Sequence, residues 1–264
     1  MNTDHKLNVL LIQYLPLHKQ KEENIKTLTK LLSKYDKSHN LDLIIFPEMA
    51  LTGYVFTDIM DIYPLLEEYN TGATYNFCSA LAKRLNAYVF CGYPEVEKAK
   101  DKDNWEKYYN SAMIVDREGN ALKSYRKSFL YETDKTWSEE GNGFLNMKII
   151  TKTGKEICLG VGICMDINPY EFQSDFKNME FSTFCHKNKS DAIVFLTNWT
   201  ESESDIMSDG TNTIQYWLSR CAPFLKSKKE VYFLASDRTG QEKGTDKNTF
   251  FVGNSCILKL CDKP

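Results

Sequence analysis

Three residues of this 264-residue chain have types and positions that suit acyl transfer: Glu48, Lys127 and Cys164. Each stands at the end of a segment that reads as a strand: Leu43-Ile44-Ile45-Phe46-Pro47-Glu48, Leu122-Lys123-Ser124-Tyr125-Arg126-Lys127 and Leu159-Gly160-Val161-Gly162-Ile163-Cys164. Strand ends are where open α/β sheets gather ligands, because loops converge there over a rigid scaffold. Taken singly, the Glu reads as a solvated loop residue, the Lys as surface and the Cys as a small core residue. Together they form a complete set. A thiol attacks as thiolate, or with a base poised to take its proton. A carboxylate is that base when burial raises its proton affinity. An ammonium stabilises both the thiolate and the oxyanion of a tetrahedral intermediate. A Cys–His pair is poorly supported. Of the four His, residues 5, 18 and 39 lie in or beside polar segments, and His186 reads as a helix end.

The elements that must position these residues alternate along the chain. Leu7 to Gln13 and Leu41 to Phe46 read as buried strands, and Pro47 stops the second. Lys19 to Tyr35 reads as an amphipathic helix, with Ile25, Leu28, Leu31 and Leu32 at helical spacing. Thr74 to Leu85 predicts a second helix and Ala87 to Gly92 a strand. Asn110–Val115 and Ala121–Arg126 flank the polar turn Asp116-Arg117-Glu118-Gly119-Asn120 and predict a hairpin. Met147–Thr151 and Glu156–Ile163 predict another around Thr153-Gly154-Lys155. Helices are expected at 178–187 and 211–225, and strands at 192–196, 231–236 and 254–260. Glu95 to Lys107 reads as a solvated loop. No repeat or Pro/Gly/Ser-rich linker divides the chain, so one domain over 1–264 is expected, with helices outside and sheets inside.

Composition narrows the function classes. The net charge of -3 gives no positive field that would attract nucleic acid or an anionic membrane. No apolar run approaches the roughly 18 residues of a spanning helix. The start Met1-Asn2-Thr3-Asp4-His5-Lys6 lacks a signal-peptide or transit-peptide pattern, so a cytoplasmic location is expected. The 8 Cys read mostly as reduced core thiols, with Cys91, Cys158 and Cys256 inside apolar runs. No Cys/His spacing suits zinc, so neither metal nor cofactor is expected.

The motifs carry a resemblance. Phe46-Pro47-Glu48 with Thr52-Gly53-Tyr54, then Tyr125-Arg126-Lys127, then Gly162-Ile163-Cys164-Met165-Asp166, resembles the nitrilase superfamily of carbon–nitrogen hydrolases in order and separation. Similarity continues through Thr197-Asn198-Trp199 and Asp237-Arg238-Thr239-Gly240 to Gly253-Asn254-Ser255-Cys256, nearly the whole chain. The runs from Tyr125 to Asp134 and from Gly162 to Tyr170 are similar to the protein N-terminal asparagine/glutamine amidases of the eukaryotic N-degron pathway. The resemblance implies a four-layer α-β-β-α sandwich, no cofactor, and deamidation of an N-terminal Asn or Gln to Asp or Glu. The substrate would be a protein or peptide N-terminus, and many members pair into homodimers across a helix face. The chain ends at Pro264, where many members continue, so a shortened C-terminal end is expected.

Carried onto this sequence, the resemblance implies Cys164 as nucleophile, Glu48 as base, and Lys127 with the Met165 backbone N–H as oxyanion donors. Glu132 is the expected second glutamate that positions Lys127. Tyr54, Asp166, Asn198 and Trp199 are expected at the substrate pocket, with plain packing the alternative for Trp199 and Tyr54. The substrate's α-ammonium needs an acidic partner, and Asp166, Glu171, Asp58 and Asp134 are the candidates. Two other functions stay open: an amidase for small free amides or N-carbamoyl amino acids, and an inactive binding or scaffold protein on the same frame.

Overall fold

The computed structural model describes residues 6–99, 105–200, 210–227, 229–243 and 249–261. The first half of the chain builds one sheet from β1 (Val9–Leu11), β2 (Leu43–Ile45), β3 (Glu67–Glu68), β4 (Tyr88–Glu97), β5 (Lys107–Val115) and β6 (Ala121–Arg126). Its order is β1-β2-β4-β5-β6, with β3 paired to β4. The β1–β2–β4 part is parallel and the β4–β5–β6 part antiparallel. The second half adds β7 (Leu145–Ile150), β8 (Glu156–Ile163), β9 (Ala192–Thr197), β10 (Val231–Asp237), a short β11 (Thr239–Glu242) and β12 (Thr249–Val252) pair, and β13 (Cys256–Leu260). Their five-stranded sheet has the order β13-β10-β9-β8-β7, with β8, β9 and β10 parallel. Six helices are described: α1 (Lys21–Leu32), α2 (Ile59–Ile62), α3 (Gly72–Leu85), α4 (Glu180–Lys187), α5 (Thr211–Arg220) and α6 (Ala222–Leu225).

Strand alternation explains how these parts stack. Successive side chains of a strand face opposite sides, so a strand buried on both faces serves two apolar clusters. On β2, Ile44 joins Leu28 and Leu32 of α1 and Leu81 and Leu85 of α3. Its neighbours Leu43 and Ile45 face the other way, against Leu159, Val161 and Ile163 of β8 and Val194 and Leu196 of β9. On β9, Ile193 and Phe195 turn from that cluster to Phe181 of α4, Trp217 of α5 and Phe224 of α6. Three apolar seams therefore separate four layers: helices, sheet, sheet, helices. This is the α-β-β-α sandwich that the resemblance implies. The buried Ser236 hydroxyl of β10 lies 2.8 Å from the Ile12 carbonyl and 2.9 Å from that of Ile45, bonding one sheet to the other at the end of β2.

Several elements differ from the sequence reading. The expected 211–225 helix breaks after Arg220, because Pro223 has no N–H to continue it; α6 restarts at Ala222. The ends of the segment from Glu95 to Lys107, expected as a solvated loop, are strand instead: β4 runs to Glu97, β5 starts at Lys107, and Glu95 is buried against Arg126. Residues 100–104 lie outside the described set. All eight cysteines are free, yet Cys158 and Cys256 are half-buried: each lies near the start of its strand, β8 or β13, and burial on its face deepens further along. No described helix is long and apolar enough to cross a membrane, and no described His/Cys/Asp/Glu group could hold a metal ion.

Candidate active site

Glu48 leaves the end of β2 on a backbone that doubles back sharply. Met49, next to it, has φ 47°, a conformation that costs a non-glycine residue energy. The loop is held against β4 by Gly92, whose N–H donates to the Pro47 carbonyl at 3.1 Å and whose carbonyl accepts from Ala50 at 2.9 Å. A Cβ at position 92 would stand 2.5 Å from Glu48 Cα. Only glycine lets the chain pass this close.

Lys127 follows β6 and is tied to β5 through its N–H, which donates to the Asn110 carbonyl at 2.8 Å. Its ammonium is fully buried between two carboxylates, Glu48 Oε1 at 2.7 Å and Asp134 Oδ2 at 2.6 Å. The Asn110 amide links the same two acids, donating to Glu48 Oε1 at 2.7 Å and to Asp134 Oδ1 at 2.9 Å. Glu48 Oε2 accepts the Asn198 backbone N–H at 3.0 Å, beyond the end of β9. Two negative charges around one positive charge leave the cluster an excess of negative charge. Burial raises the proton affinity of Glu48, Lys127 opposes this, and Asp134 reinforces it; the outcome is a raised pKa. Burial works against the Lys127 ammonium, but Asp134 and Glu48 outweigh it and keep the residue protonated.

Cys164 ends β8 and opens a tight 3₁₀ turn, Cys164–Ile167. Its φ of 42° is in the left-handed region, a strained position for a non-glycine residue that turns the side chain out of the strand's path. Burial pushes its thiol well above the ordinary cysteine range, and the Glu48 charge adds to that. Lys127 and the Thr197 hydroxyl pull the other way. The resting group is a thiol, so attack requires a base at the moment of reaction.

Asp166 braces this turn. Its carboxylate accepts from the N–H groups of Ile163, Ser128 and Phe129 at 2.7, 3.0 and 2.9 Å and from Tyr125 Oη at 2.7 Å. Those donors belong to the Lys127 and Cys164 segments, so one buried side chain fixes both. Burial pushes its carboxyl up to about 6.

The expected acids are therefore corrected on two points. Glu132 is exposed, and the carboxylate that positions Lys127 is Asp134, two residues on, where the chain turns inward. Asp166 is not at the pocket wall with a free carboxylate, since four donors occupy it. The other candidates for an ammonium partner are committed too: Asp134 to Lys127, Asp58 as the N-cap of α2, and Glu171 to Lys135 at 2.5 Å.

A cavity of ≈ 410 Å³ opens beside Cys164. Tyr54, Asn198 and Trp199 line it, as the sequence reading expects, together with Met165, Tyr131 and residues of α5. Trp199 has both roles left open for it: it faces the cavity and packs against Trp217 at 5.5 Å. Its backbone N–H donates to Asp237 Oδ1 at 3.0 Å. The loop carrying Tyr54 is held by Glu242, which accepts the Tyr54 and Val55 N–H groups and pairs with buried Arg238.

Sequence reasoning missed Asn110, Asp237 and Glu242 as parts of this site. The contacts that tie them to the site lie far along the chain, Asn110 to Glu48, Asp237 to Trp199 and Glu242 to Tyr54, so no local spacing marks them. The one available signal was a polar Asn just before the apolar run of β5.

The chain's relatives have the same frame. The carbon-nitrogen hydrolase family pattern matches residues 9–260. The protein N-terminal amidase of Schizosaccharomyces pombe is 31% identical over 266 residues, covering 94% of this chain and 90% of the relative. That of Saccharomyces cerevisiae is 34% identical over 215 residues, covering 75% of this chain, which spans 46% of that relative's length. The crystal structure of an N-terminal amidase with an Asn-Glu peptide matches with a TM-score of 0.83 at 22% identity, covering 98% of this chain and 91% of that one. A carbon-nitrogen hydrolase from Helicobacter pylori matches with a TM-score of 0.74 at 19% identity, over 97% and 83% of the two chains. Both crystal structures share the fold. A four-layer frame and a sequence pattern that runs through nearly all of it point to one family, and this chain belongs to the carbon–nitrogen hydrolases.

Proposed function

We propose that the protein deamidates N-terminal Asn or Gln residues of proteins to Asp or Glu, with release of ammonia. The observation that carries this reading is the buried Glu48–Lys127–Cys164 cluster beside a cavity of ≈ 410 Å³, in a chain 31% identical to a protein N-terminal amidase over 94% of its length.

Glu48 takes the Cys164 proton as the sulfur attacks the side-chain amide carbon. The oxyanion that forms meets the Lys127 ammonium and the Met165 N–H, which lies in the first turn of a 3₁₀ helix, where amides have no intrahelical partner. Glu48 returns the proton to the nitrogen, the C–N bond breaks, and ammonia leaves. Water, deprotonated by Glu48, then attacks the thioester; the C–S bond breaks and Cys164 recovers its proton. The raised proton affinity of Glu48 suits both directions of transfer. On this reading the protein acts in the cytoplasm, at the step of an N-degron pathway that turns an amide N-terminus into an acidic one.

Ammonia release from peptides that begin with Asn, Gln or acetyl-Asn, beside free glutamine, tests the proposal. Release from the Asn and Gln peptides, absent with the acetylated one and lost in Cys164→Ala, is expected. Activity on free amides alone would sink it in favour of a small-amide amidase. Full turnover by folded Cys164→Ala would sink the mechanism.

A further inference from the structure

Two residues that line the cavity have buried polar atoms that nothing in the described fold uses. Asn198 is 2% exposed, and neither its Oδ1 nor its Nδ2 has a hydrogen-bond partner among the described residues. Thr213, in the first turn of α5, is 1% exposed, and its Oγ1 is also unpartnered among them. Both line the cavity that Cys164 opens into. A buried polar atom left without a partner is destabilising, and native structures keep few of them. Three in one cavity mark a place where a ligand completes the bonding.

The chemistry of the three atoms describes that ligand. A side-chain amide offers one acceptor and one donor side by side, which matches a group with a donor and an acceptor equally close. The amino nitrogen and carbonyl oxygen of a single amino-acid residue are such a pair. Thr213 supplies a second donor. Its place at the start of α5, where the helix dipole is positive, favours an electron-rich oxygen. The four acids considered for the substrate's ammonium are all committed elsewhere, and no carboxylate is among the described residues of the cavity wall. Trp199 and Tyr216, with ring centroids 5.6 Å apart, are on the same wall, and aromatic rings attract a cation without a formal charge.

Resting on the deamidation proposed above, we propose that Asn198 and Thr213 read the main chain of the substrate's first residue. Asn198 Oδ1 accepts from its ammonium, and Asn198 Nδ2 and Thr213 Oγ1 donate to its carbonyl oxygen. Asn198 is well placed for this, because its own backbone N–H fixes Glu48. The residue that holds the base also sets the register of the substrate's main chain against it.

The test compares ammonia release from a peptide beginning with Asn and from its des-amino counterpart, in which a succinamoyl group replaces the first residue. The wild-type enzyme prefers the Asn peptide. Asn198→Leu, near in volume, lowers kcat/KM for the Asn peptide by about 10- to 100-fold, the range for a hydrogen bond to a charged group, mainly through KM. It lowers the des-amino peptide much less, so the preference collapses. Asn198→Asp, which keeps the acceptor, retains a preference for the amino group. Thr213→Val slows both peptides, because both have the carbonyl. If folded Asn198→Leu slows both peptides by one factor, or keeps the wild-type preference, the inference is overturned while the deamidation stands. If the wild-type enzyme releases ammonia from neither peptide but from a free primary amide, the function itself has failed and the inference falls with it.

Discussion

Asp134→Asn isolates the electrostatic logic of the site. Asp134 and Glu48 share the Lys127 ammonium at 2.6 and 2.7 Å, so their charged oxygens stand within about 5 Å of each other. At an effective dielectric constant of about 20, two like charges at that separation repel by about 3 kcal/mol, or roughly 10²-fold in proton affinity. Both side chains are fully buried, so solvent does little to weaken this. The Asp134 charge raises the proton affinity of Glu48. Removing it makes Glu48 easier to ionise. The acid limb of kcat/KM, which reports loss of the ionised base, therefore moves to lower pH. The Asn substitution keeps the shape and, at the Oδ2 position, an acceptor for the Tyr131 N–H, so the fold survives; but it removes the charge that holds Lys127 there and turns its own NH2 against the Asn110 amide. A drop of about 10²-fold in neutral-pH activity is expected from the displacement of Lys127. The assay is the pH profile of ammonia release, beside a thermal melt. A folded variant whose acid limb stays put or moves to higher pH would refute the reasoning.

Three further perturbations test how the site is held. Gly92→Ala forces a methyl against Glu48 Cα, and should abolish most activity while costing about 1–3 kcal/mol of stability, read by turnover and denaturant melts. Asp166→Ala strands four buried donors; a loss of about 3–5 kcal/mol in unfolding free energy is expected, with Asp166→Asn intermediate. Burial works to raise the Glu242 carboxyl, but the His18 bond, the Arg238 charge and the Val55 N–H overcome it and hold it at about 2 against an ordinary 4.5. This depressed acid contributes stability above its unfolded pKa, about 3 kcal/mol, which is lost as pH falls from 4.5 towards 2. Glu242→Gln should flatten that part of a stability-against-pH curve, and an unchanged curve would count against the role given to this residue.

Local pattern made much of the frame legible. Apolar runs bounded by Pro47, by the turn at Asp116–Asn120 and by Thr153–Lys155 gave the strands and both hairpins, because such runs and turns act over a few residues. The placement of Glu48, Lys127 and Cys164 was legible for the same reason: a strand's last residue is readable from the strand. The small pieces were not. Two-residue β3 and the β11–β12 pair are held by tertiary contacts rather than by any pattern of their own. The choice between Glu132 and Asp134 could not be read either, since the two acids are two residues apart in an irregular segment and only packing decides which one turns inward.

The sequence by itself determined the chemistry: a thiol, a carboxylate and an ammonium at three strand ends, in the order and company of one hydrolase family. Tertiary structure decided how that chemistry is tuned. It buried Lys127 between two acids and spent Asp166 on bracing the Lys127 and Cys164 turns. It set Gly92 under Glu48, and left the Asn198 amide unpartnered beside the cavity. The physical reason is range. Residue type and short spacing report what a side chain can do, whereas burial, charge balance and unmet hydrogen bonds come from segments that only the fold brings together, such as Glu48 and Lys127, 79 residues apart.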